Sequence, residues 1–122
     1  MATERKSADH RDSQLARLCA ALALDKKANR PVILDLSELN GPAVYFLICS
    51  GESEPQLKAI AEAIVSGLRD RHGIRAIATD GRNTSHWIVL DYGSLLVHIM
   101  REDKRAFYNL EKLWSDAKTV AI

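Results

Sequence analysis

Residues 44 to 52 read Val44-Tyr45-Phe46-Leu47-Ile48-Cys49-Ser50-Gly51-Glu52, and the rest of the chain is best understood outward from them. The first six are all apolar, without the alternation of a half-buried strand, and they include β-branched and aromatic types. Such a run is typical of a strand that is covered on both faces of a sheet. The last three residues are typical of a turn. We therefore predict a central strand that ends in a tight turn.

A long amphipathic helix is predicted after this turn. Ser53 stands three residues before Gln56, which is a capping-box spacing, and Pro55 falls in the first turn, where its missing N–H costs no hydrogen bond. Apolar residues then recur at intervals of three and four, as on one buried stripe of a helix: Leu57, Ile60, Ala61, Ile64, Val65 and Leu68. His72 and Gly73 are expected to end this helix.

The turn before the helix has two interpretations. A glycine-containing loop that opens a helix can bind an anion through free backbone N–H groups. However, Ser50-Gly51-Glu52-Ser53 matches neither a P-loop nor a dinucleotide-binding fingerprint, and Glu52 puts an acid where a phosphate would lie. The interpretation in which Gly51 only allows a sharp turn is therefore favoured.

The composition is that of an ordinary single-domain protein. The chain has 122 residues, of which 47% are hydrophobic, and a chain of this length buries about two thirds of its unfolded surface. Its formal net charge is +1, and no dense run of lysine and arginine is present, so free nucleic acid is not expected as the main partner. No leader pattern or membrane-spanning run is found. We expect a cytoplasmic protein without a membrane partner.

The cysteines and histidines do not suggest a metal site. Cys19 and Cys49 lie in separate apolar segments, so they resemble buried small hydrophobes of a reducing compartment more than a disulfide or a metal pair. The histidines have no short ligand spacing: His10, His72, His86 and His98. His98 is better interpreted as an interfacial or hydrogen-bonded residue. We expect neither a metal nor a cofactor.

The N-terminal part is predicted to change from a tail to a helix. Residues 1 to 12 are mixed in charge and almost without apolar side chains, so we predict a flexible tail there and a single domain over residues 13 to 122. Ser13 is predicted to cap a helix that ends near Asn29 and Pro31.

Besides the central strand, four strands and a short helix are predicted. The strands are expected at residues 32–36, 74–78, 86–91 and 95–101. The 74–78 strand should lie parallel to the central strand, because a helical crossover separates the two. A helix capped by Asn109 is expected over residues 107–114, with its apolar side chains, Leu110, Leu113 and Trp114, turned inward. The predicted fold class is α/β, a helix–sheet–helix sandwich on a mixed five-stranded sheet.

The last two strands form a predicted hairpin whose two faces differ in chemistry. One face is wholly aliphatic and should belong to the core: Ile88, Leu90, Leu95, Val97 and Ile99. The other face mixes aromatic, thioether and charged groups: Trp87, Val89, Asp91, Leu96, His98 and Met100. Such a mixture is typical of a surface that binds a partner. Alternatively, the long helices close this face and Asp91 simply pairs with His98.

Together these motifs give the chain a family resemblance over residues 18 to 117, nearly the whole predicted domain. The segments that carry it are Val32-Ile33-Leu34-Asp35-Leu36, Tyr45-Phe46-Leu47-Ile48-Cys49-Ser50-Gly51, Ser53-Glu54-Pro55-Gln56-Leu57-Lys58-Ala59-Ile60-Ala61, Trp87-Ile88-Val89-Leu90-Asp91-Tyr92-Gly93, Val97-His98-Ile99 and Phe107-Tyr108-Asn109-Leu110-Glu111-Lys112-Leu113-Trp114. In this order and spacing the chain resembles the Iojap-like ribosomal silencing factors.

The resemblance implies a nucleotidyltransferase-like sandwich with a non-catalytic role. It implies binding to the large ribosomal subunit through ribosomal protein fourteen on the intersubunit face, which sterically blocks association with the small subunit and represses translation under starvation. It also implies a possible homodimer, and in organelles a link to large-subunit assembly. The partner-binding residues that it implies are Trp87, Asp91, Tyr92, His98 and Tyr108.

The chain departs from the family pattern in two places. Val44 stands where the family usually has an aspartate, so no role for that acid is transferred. The segment 82–86 has no match, and partner contacts from that loop are not transferred either.

An alternative function is a small nucleotidyltransferase-like enzyme. Its chemistry would require carboxylates gathered around magnesium ions, and Asp35, Glu52 and Asp80 are the candidates. No Asp-x-Asp pair follows the glycine turn. Asp35 also has a structural interpretation, in which this acid at a strand end accepts hydrogen bonds from the backbone or from Ser37.

Overall fold

The computed structural model describes residues 10–81 and 86–122. Their elements, numbered in chain order, are α1 (His10–Asp25), β1 (Asn29–Asp35), β2 (Tyr45–Gly51), α2 (Glu54–His72), β3 (Ala78–Asp80), β4 (Trp87–Asp91), β5 (Leu95–Arg101), α3 (Glu102–Tyr108), α4 (Leu110–Leu113) and β6 (Lys118–Val120). The described part is an α/β sandwich with helical segments on both faces of a mixed sheet, as predicted.

Within the described residues the sheet has six strands, in the order β3-β4-β5-β2-β1-β6, and not the five that we predicted. The added strand, β6, pairs antiparallel with the outer edge of β1. It has only three residues, and its first two side chains are exposed. A strand so short and polar leaves no periodic signal in the sequence, since only its pairing defines it.

The prediction that the 74–78 strand lies parallel to β2 is wrong. β2 pairs in parallel with β5, from Tyr45 opposite Leu95 to Gly51 opposite Arg101. β3 instead begins at Ala78 and runs antiparallel to β4 at the sheet edge, with all three side chains exposed. The physical reason lies in the side chains, because β5 is largely apolar and five of its seven residues are buried beside β2, whereas the three residues of the short β3 are exposed.

The long helices α1 and α2 pack against each other and against one face of the sheet, here called the helix side. The predicted boundaries of α2 are confirmed, since Ser53 accepts from the N–H of Gln56 and Gly73 ends the helix with a φ of 67°. Both cysteines are free and buried on this side, and burial raises the pKa of each thiol to about 12.

The boundaries of α1 differ from the prediction at both ends. The helix begins at His10, three residues before Ser13, whose hydroxyl accepts from Arg17 instead. It ends at Asp25, and the left-handed backbone of Lys27 turns the chain so that Asn29 already belongs to β1. The predicted tail thus overlaps α1 at residues 10–12, and its residues 1–9 lie outside the described residues.

The opposite face of the sheet, here called the second face, has its own smaller core. Leu34, Leu36, Ala43, Phe46 and Ile48 are buried there, and Leu110 and Trp114 pack against them from the C-terminal segment. That segment is two short helices joined at Asn109, which caps α4 as predicted. Leu113 is 71% exposed, so its predicted inward orientation is wrong. A helix of four residues has too few turns to bury all of its apolar positions.

Candidate functional site

The β4–β5 hairpin presents the two predicted faces. Its aliphatic residues are all fully buried on the helix side: Ile88, Leu90, Leu95, Val97 and Ile99. On the second face Trp87 lies opposite Met100, and Val89 lies opposite His98. The long helices do not close this second face, because both pack on the helix side.

The C-terminal segment covers only part of the second face of the hairpin. His98 is 8% exposed and Met100 is fully buried, whereas Trp87, Asp91 and Leu96 remain partly exposed. Neither sequence-based interpretation therefore describes the whole face. Its inner part is closed by the chain itself, and its outer part is accessible.

Aromatic rings connect the buried part of this face to the accessible part. The ring centroids are separated by 6.0 Å between Trp114 and Phe46, 4.5 Å between Phe46 and His98, 6.0 Å between His98 and Trp87, 4.9 Å between Trp87 and Tyr108, and 5.0 Å between Tyr108 and Phe107. We call these six residues the aromatic row. All five pairs have the tilted or edge-on geometry that favours aromatic contact.

The row becomes more exposed toward its α3 end. Tyr108 is 45% exposed and Phe107 is 76% exposed. The ammonium group of Lys104 lies 5.9 Å from the centroid of the Phe107 ring, within the range of a cation–π contact. The structure thus presents aromatic side chains with a cation at their margin.

A hydrogen bond fixes the centre of the row. The indole N–H of Trp87 donates to Nδ1 of His98 at 3.2 Å. Because an indole nitrogen can only donate, Nδ1 must be unprotonated and the neutral ring carries its proton on Nε2. Nε2 has no hydrogen-bond partner within the described residues. Burial lowers the pKa of His98 to about 4, so the ring is neutral at physiological pH.

Asp91 lies at the end of β4, beside the hairpin turn. Its Oδ1 accepts from the N–H of Gly93 at 2.8 Å, which fixes the carboxylate at the turn. The alternative prediction that Asp91 pairs with His98 is therefore wrong. Asp91 accepts from Gly93, and His98 accepts from Trp87. Asp91 is partly exposed and adds negative charge at the edge of the second face.

Tyr92 is the one predicted site residue that the structure separates from the other four. It is 9% exposed and belongs to the core of the helix side, since the alternation of β4 continues for one residue past Asp91. Burial, and then the nearby Cys19, raise the pKa of its hydroxyl to about 12. Trp87, His98 and Tyr108 are in mutual or successive contact, with Asp91 on the same hairpin face.

Two features near this site were not predicted. Phe107 extends the aromatic row, and its only signal in the sequence is the Phe107-Tyr108 pair. A groove of about 320 Å³ lies beside Trp87, lined also by Asp80, Gly81, His86 and Val89. This groove depends on the pairing of β3 with β4, which sequence patterns did not predict.

The three carboxylates of the enzyme alternative are not brought together. Asp35 lies opposite Tyr45, where β2 begins, whereas Glu52 follows the end of β2. A strand of this length places them on the order of 20 Å apart. Asp80 is on the edge strand β3. Within residues 10–81 and 86–122, no group of three potential metal ligands is found.

The local contacts of these residues are structural. Oδ1 of Asp35 accepts from the N–H of Ser37 at 2.9 Å, as in its structural interpretation. At the glycine turn, the N–H of Glu52 donates to Oε1 of Gln56, so this donor is already used. A Cβ on Gly51 would lie 3.0 Å from the same oxygen. Close packing therefore explains this glycine.

No helix of the described residues is long and apolar enough to cross a membrane.

Comparisons with known proteins agree in pointing to one family. The family model described as "Ribosomal silencing factor during starvation" (RsfS) matches residues 8–122. The ribosomal silencing factor RsfS of Halalkalibacterium halodurans is 38% identical over 91% of this chain and 94% of its own. That of Bacillus subtilis is 39% identical over 84% and 86%. A crystal structure of a protein from Chromobacterium violaceum is 26% identical, with a TM-score of 0.80 over 84% of this chain and 85% of its own.

Proposed function

The chain belongs to the RsfS family of ribosomal silencing factors, and we propose that it binds the large ribosomal subunit through ribosomal protein fourteen on the intersubunit face. Bound there, it sterically blocks association with the small subunit and represses translation under starvation. This function requires complementary surfaces and no chemical step. We therefore propose a non-catalytic protein that acts in the cytoplasm.

The observation that carries this proposal is the exposed end of the aromatic row. Trp87, Tyr108 and Phe107 form a continuous set of rings that reaches from a buried base to solvent. Tryptophan and tyrosine are enriched among the residues that contribute most to binding, because they bury a large area at a low cost in conformational entropy. Among the described residues of the row, Phe107 and Tyr108 are exposed and Trp87 is partly exposed at this end, while Trp114 is partly exposed at the other end.

Charged residues at the margin add specificity to this surface. Asp91 at the hairpin turn is suited to a basic group of the partner, and Lys104 beside Phe107 is suited to an acidic one. A polar rim around an aromatic centre is the usual arrangement of a protein interface. His98 contributes from beneath by holding Trp87, and Tyr92 has no proposed contact because it lies in the core of the helix side.

The experiment that tests this proposal is co-sedimentation with purified ribosomal subunits. We expect the protein to sediment with large subunits and not with small ones. Tyr108→Ala should weaken binding by about 30-fold, corresponding to about 2 kcal/mol for a central aromatic contact. Leu24→Ala is the matched control, because Leu24 is 46% exposed but lies on α1 at the helix side.

A charge reversal gives a second arm. Asp91→Lys should weaken binding, whereas Asp25→Lys at the exposed end of α1 should leave binding unchanged. Equal binding by Tyr108→Ala, Asp91→Lys and the wild type would exclude this surface as the interface.

We further propose that the isolated protein forms the homodimer that the resemblance implies. Sedimentation equilibrium of the purified chain over a range of concentrations measures this directly. A monomer mass at all concentrations would contradict it.

A further inference from the structure

Arg105 is 2% exposed, although it lies in a short surface helix. It is the only residue of α3 that is buried, all seven residues of α3 being described by the structure. Tyr108 follows three residues later on the same helix, and residues at this spacing are neighbours on a helix surface. The helix that carries Tyr108 is therefore anchored by a guanidinium group where an apolar side chain would be usual.

The guanidinium group uses all five of its N–H donors. Nε and one N–H of Nη2 donate to the carboxylate of Glu111, at 3.1 and 3.0 Å. The other N–H of Nη2 donates to the carbonyl of Arg30 at 2.8 Å, and Nη1 donates to the carbonyl of Asn29 and to Oγ of Ser50, each at 3.0 Å. One side chain thereby joins α3 to α4, to the start of β1 and to the end of β2.

The first turn of α3 is held at the same place. The hydroxyl of Ser50 donates to Oε1 of Glu102 at 2.6 Å while it accepts from Arg105. Glu102 also accepts from Asn29 at 3.4 Å and is paired with Arg30. Ser50 thus links Glu102 to Arg105, which lie three residues apart on α3.

These polar contacts determine where the exposed aromatic residues lie. An isolated helix of seven residues is not stable in water, so its position depends on tertiary contacts. The aromatic side chains of α3 are largely on its outer side, with Phe107 and Tyr108 exposed. The 4.9 Å contact between Tyr108 and Trp87 therefore depends on the anchoring of α3 at Arg105.

We propose that Arg105 is a positioning residue for the partner surface, and that its five hydrogen bonds hold Tyr108 and Phe107 beside Trp87 so that the partner meets a preformed aromatic surface. A surface ordered before binding loses less conformational entropy when the complex forms. This inference rests on the proposed function, in which that surface contacts the large subunit.

The test replaces Arg105 by lysine, which keeps the charge but cannot reproduce the planar fork of donors. Trp114→Phe is used as the background, because the chain has two tryptophans and Trp87 then becomes the only fluorophore of its kind. In the free protein, Arg105→Lys should raise the acrylamide quenching constant of Trp87 about twofold. Its affinity for purified large subunits should fall about tenfold.

Two matched controls separate positioning from stability. Arg101→Lys changes a neighbouring arginine that is paired with the exposed Asp103, and it should alter neither readout. Ile60→Val removes one methylene group from the core of the helix side. It should lower the melting temperature while leaving Trp87 quenching and subunit affinity unchanged. A general loss of stability would instead change the melting temperature, the quenching constant of Trp87 and the subunit affinity together.

Unchanged Trp87 quenching in a cooperatively melting Arg105→Lys protein would overturn the inference. If the Arg105→Lys protein does not melt cooperatively, Glu111→Gln is tested in its place. In this variant Arg105 loses its charged bidentate partner and keeps its hydrogen bonds to β1 and β2. Unchanged Trp87 quenching in Glu111→Gln would also overturn the inference. The quenching arm needs no ribosome. It therefore reports on the position of Trp87 even if the wild type does not bind large subunits. Failure of the wild type to bind would contradict the proposed function and leave the quenching result valid.

Discussion

The indole N–H of Trp87 donates to Nδ1 of His98 across 3.2 Å, so the single polar group of the tryptophan is used within the protein. What Trp87 offers to a partner is the remaining surface of its ring. Its N–H contributes to folding, since it satisfies a buried imidazole nitrogen, and its ring is the part that we propose contributes to binding. The two roles can be separated by substitution.

Trp87→Phe keeps an aromatic ring and removes the N–H. We expect its free energy of unfolding to fall by about 1–2 kcal/mol, because Nδ1 of His98 is left buried without a donor. Its affinity for large subunits should fall less than about threefold, whereas Trp87→Ala should lose about 30-fold or more. Urea unfolding and co-sedimentation measure the two effects. Equal losses of binding by the two variants would show that the N–H itself contacts the partner.

The buried His98 makes the stability of the protein depend on pH. Burial lowers the folded-state pKa to about 4, below the ordinary value of 6.5. Above pH 6.5 neither state binds the proton, and stability is unaffected. Between pH 6.5 and about 4 only the unfolded chain binds it, so the free energy of unfolding falls as the pH falls.

At pH 5 this linkage amounts to about 2 kcal/mol relative to pH 7.5. His98→Asn retains an acceptor for Trp87 but does not titrate. Its loss of stability between pH 7.5 and 5 should therefore be smaller than that of the wild type by about 2 kcal/mol. Leu24→Ala, at an exposed and non-titrating position of α1, is the control and should follow the wild type. Parallel curves for His98→Asn and the wild type would contradict the assignment.

Ile64 tests which stripe of α2 faces the sheet. It is fully buried on the helix side, so Ile64→Asp places an unpaired charge in the main core and should abolish cooperative unfolding. Ala59→Asp lies on the exposed side of the same helix and should remain folded. Circular dichroism with thermal melting distinguishes them. A soluble Ile64→Asp protein that melts cooperatively would mean that the packing described for α2 is incorrect.

Gly81 directly follows β3 and packs closely against the backbone of Trp87 in β4. A Cβ at this position would lie 2.0 Å from the carbonyl oxygen of Trp87, and φ is 82°. Gly81→Ala should therefore lower the free energy of unfolding by about 3 kcal/mol or more and increase hydrogen exchange in β4.

Gly73→Ala is the matched control for this prediction. Gly73 has a similar φ of 67°, but a Cβ there would meet nothing within 4 Å. Gly73→Ala should lower the free energy of unfolding by only about 1 kcal/mol, because a residue with a side chain adopts left-handed backbone less readily than glycine. Equal costs at the two glycines would show that β3 does not pack against β4 at Trp87.

The elements that the sequence predicted well are those specified by local chemistry. The run from Val44 to Cys49 identified β2, and the spacing of Ser53 and Gln56 identified the start of α2, because both signals arise within a few residues. The edge strands β3 and β6 have no such signal. Their short, largely exposed sequences become strands only through pairing with β4 and β1.

The candidate site was predictable only in part for the same reason. Alternation along β4 and β5 correctly placed Trp87 and His98 on one face. Tyr92 lies one residue past the end of β4, and only the structure shows that the alternation continues through it to the helix side. Arg105 stood among charged residues of similar appearance, and only the convergence of β1, β2 and α4 distinguishes it.

Subunit joining, followed on sucrose gradients, tests occlusion most directly. Purified large and small subunits are mixed with increasing amounts of the protein. We predict that joined particles decrease as free subunits accumulate, that no nucleotide is needed, and that Trp87→Ala is much less effective. Undiminished joining at saturating wild-type protein would contradict the proposal that this chain silences ribosomes by occupying the large subunit.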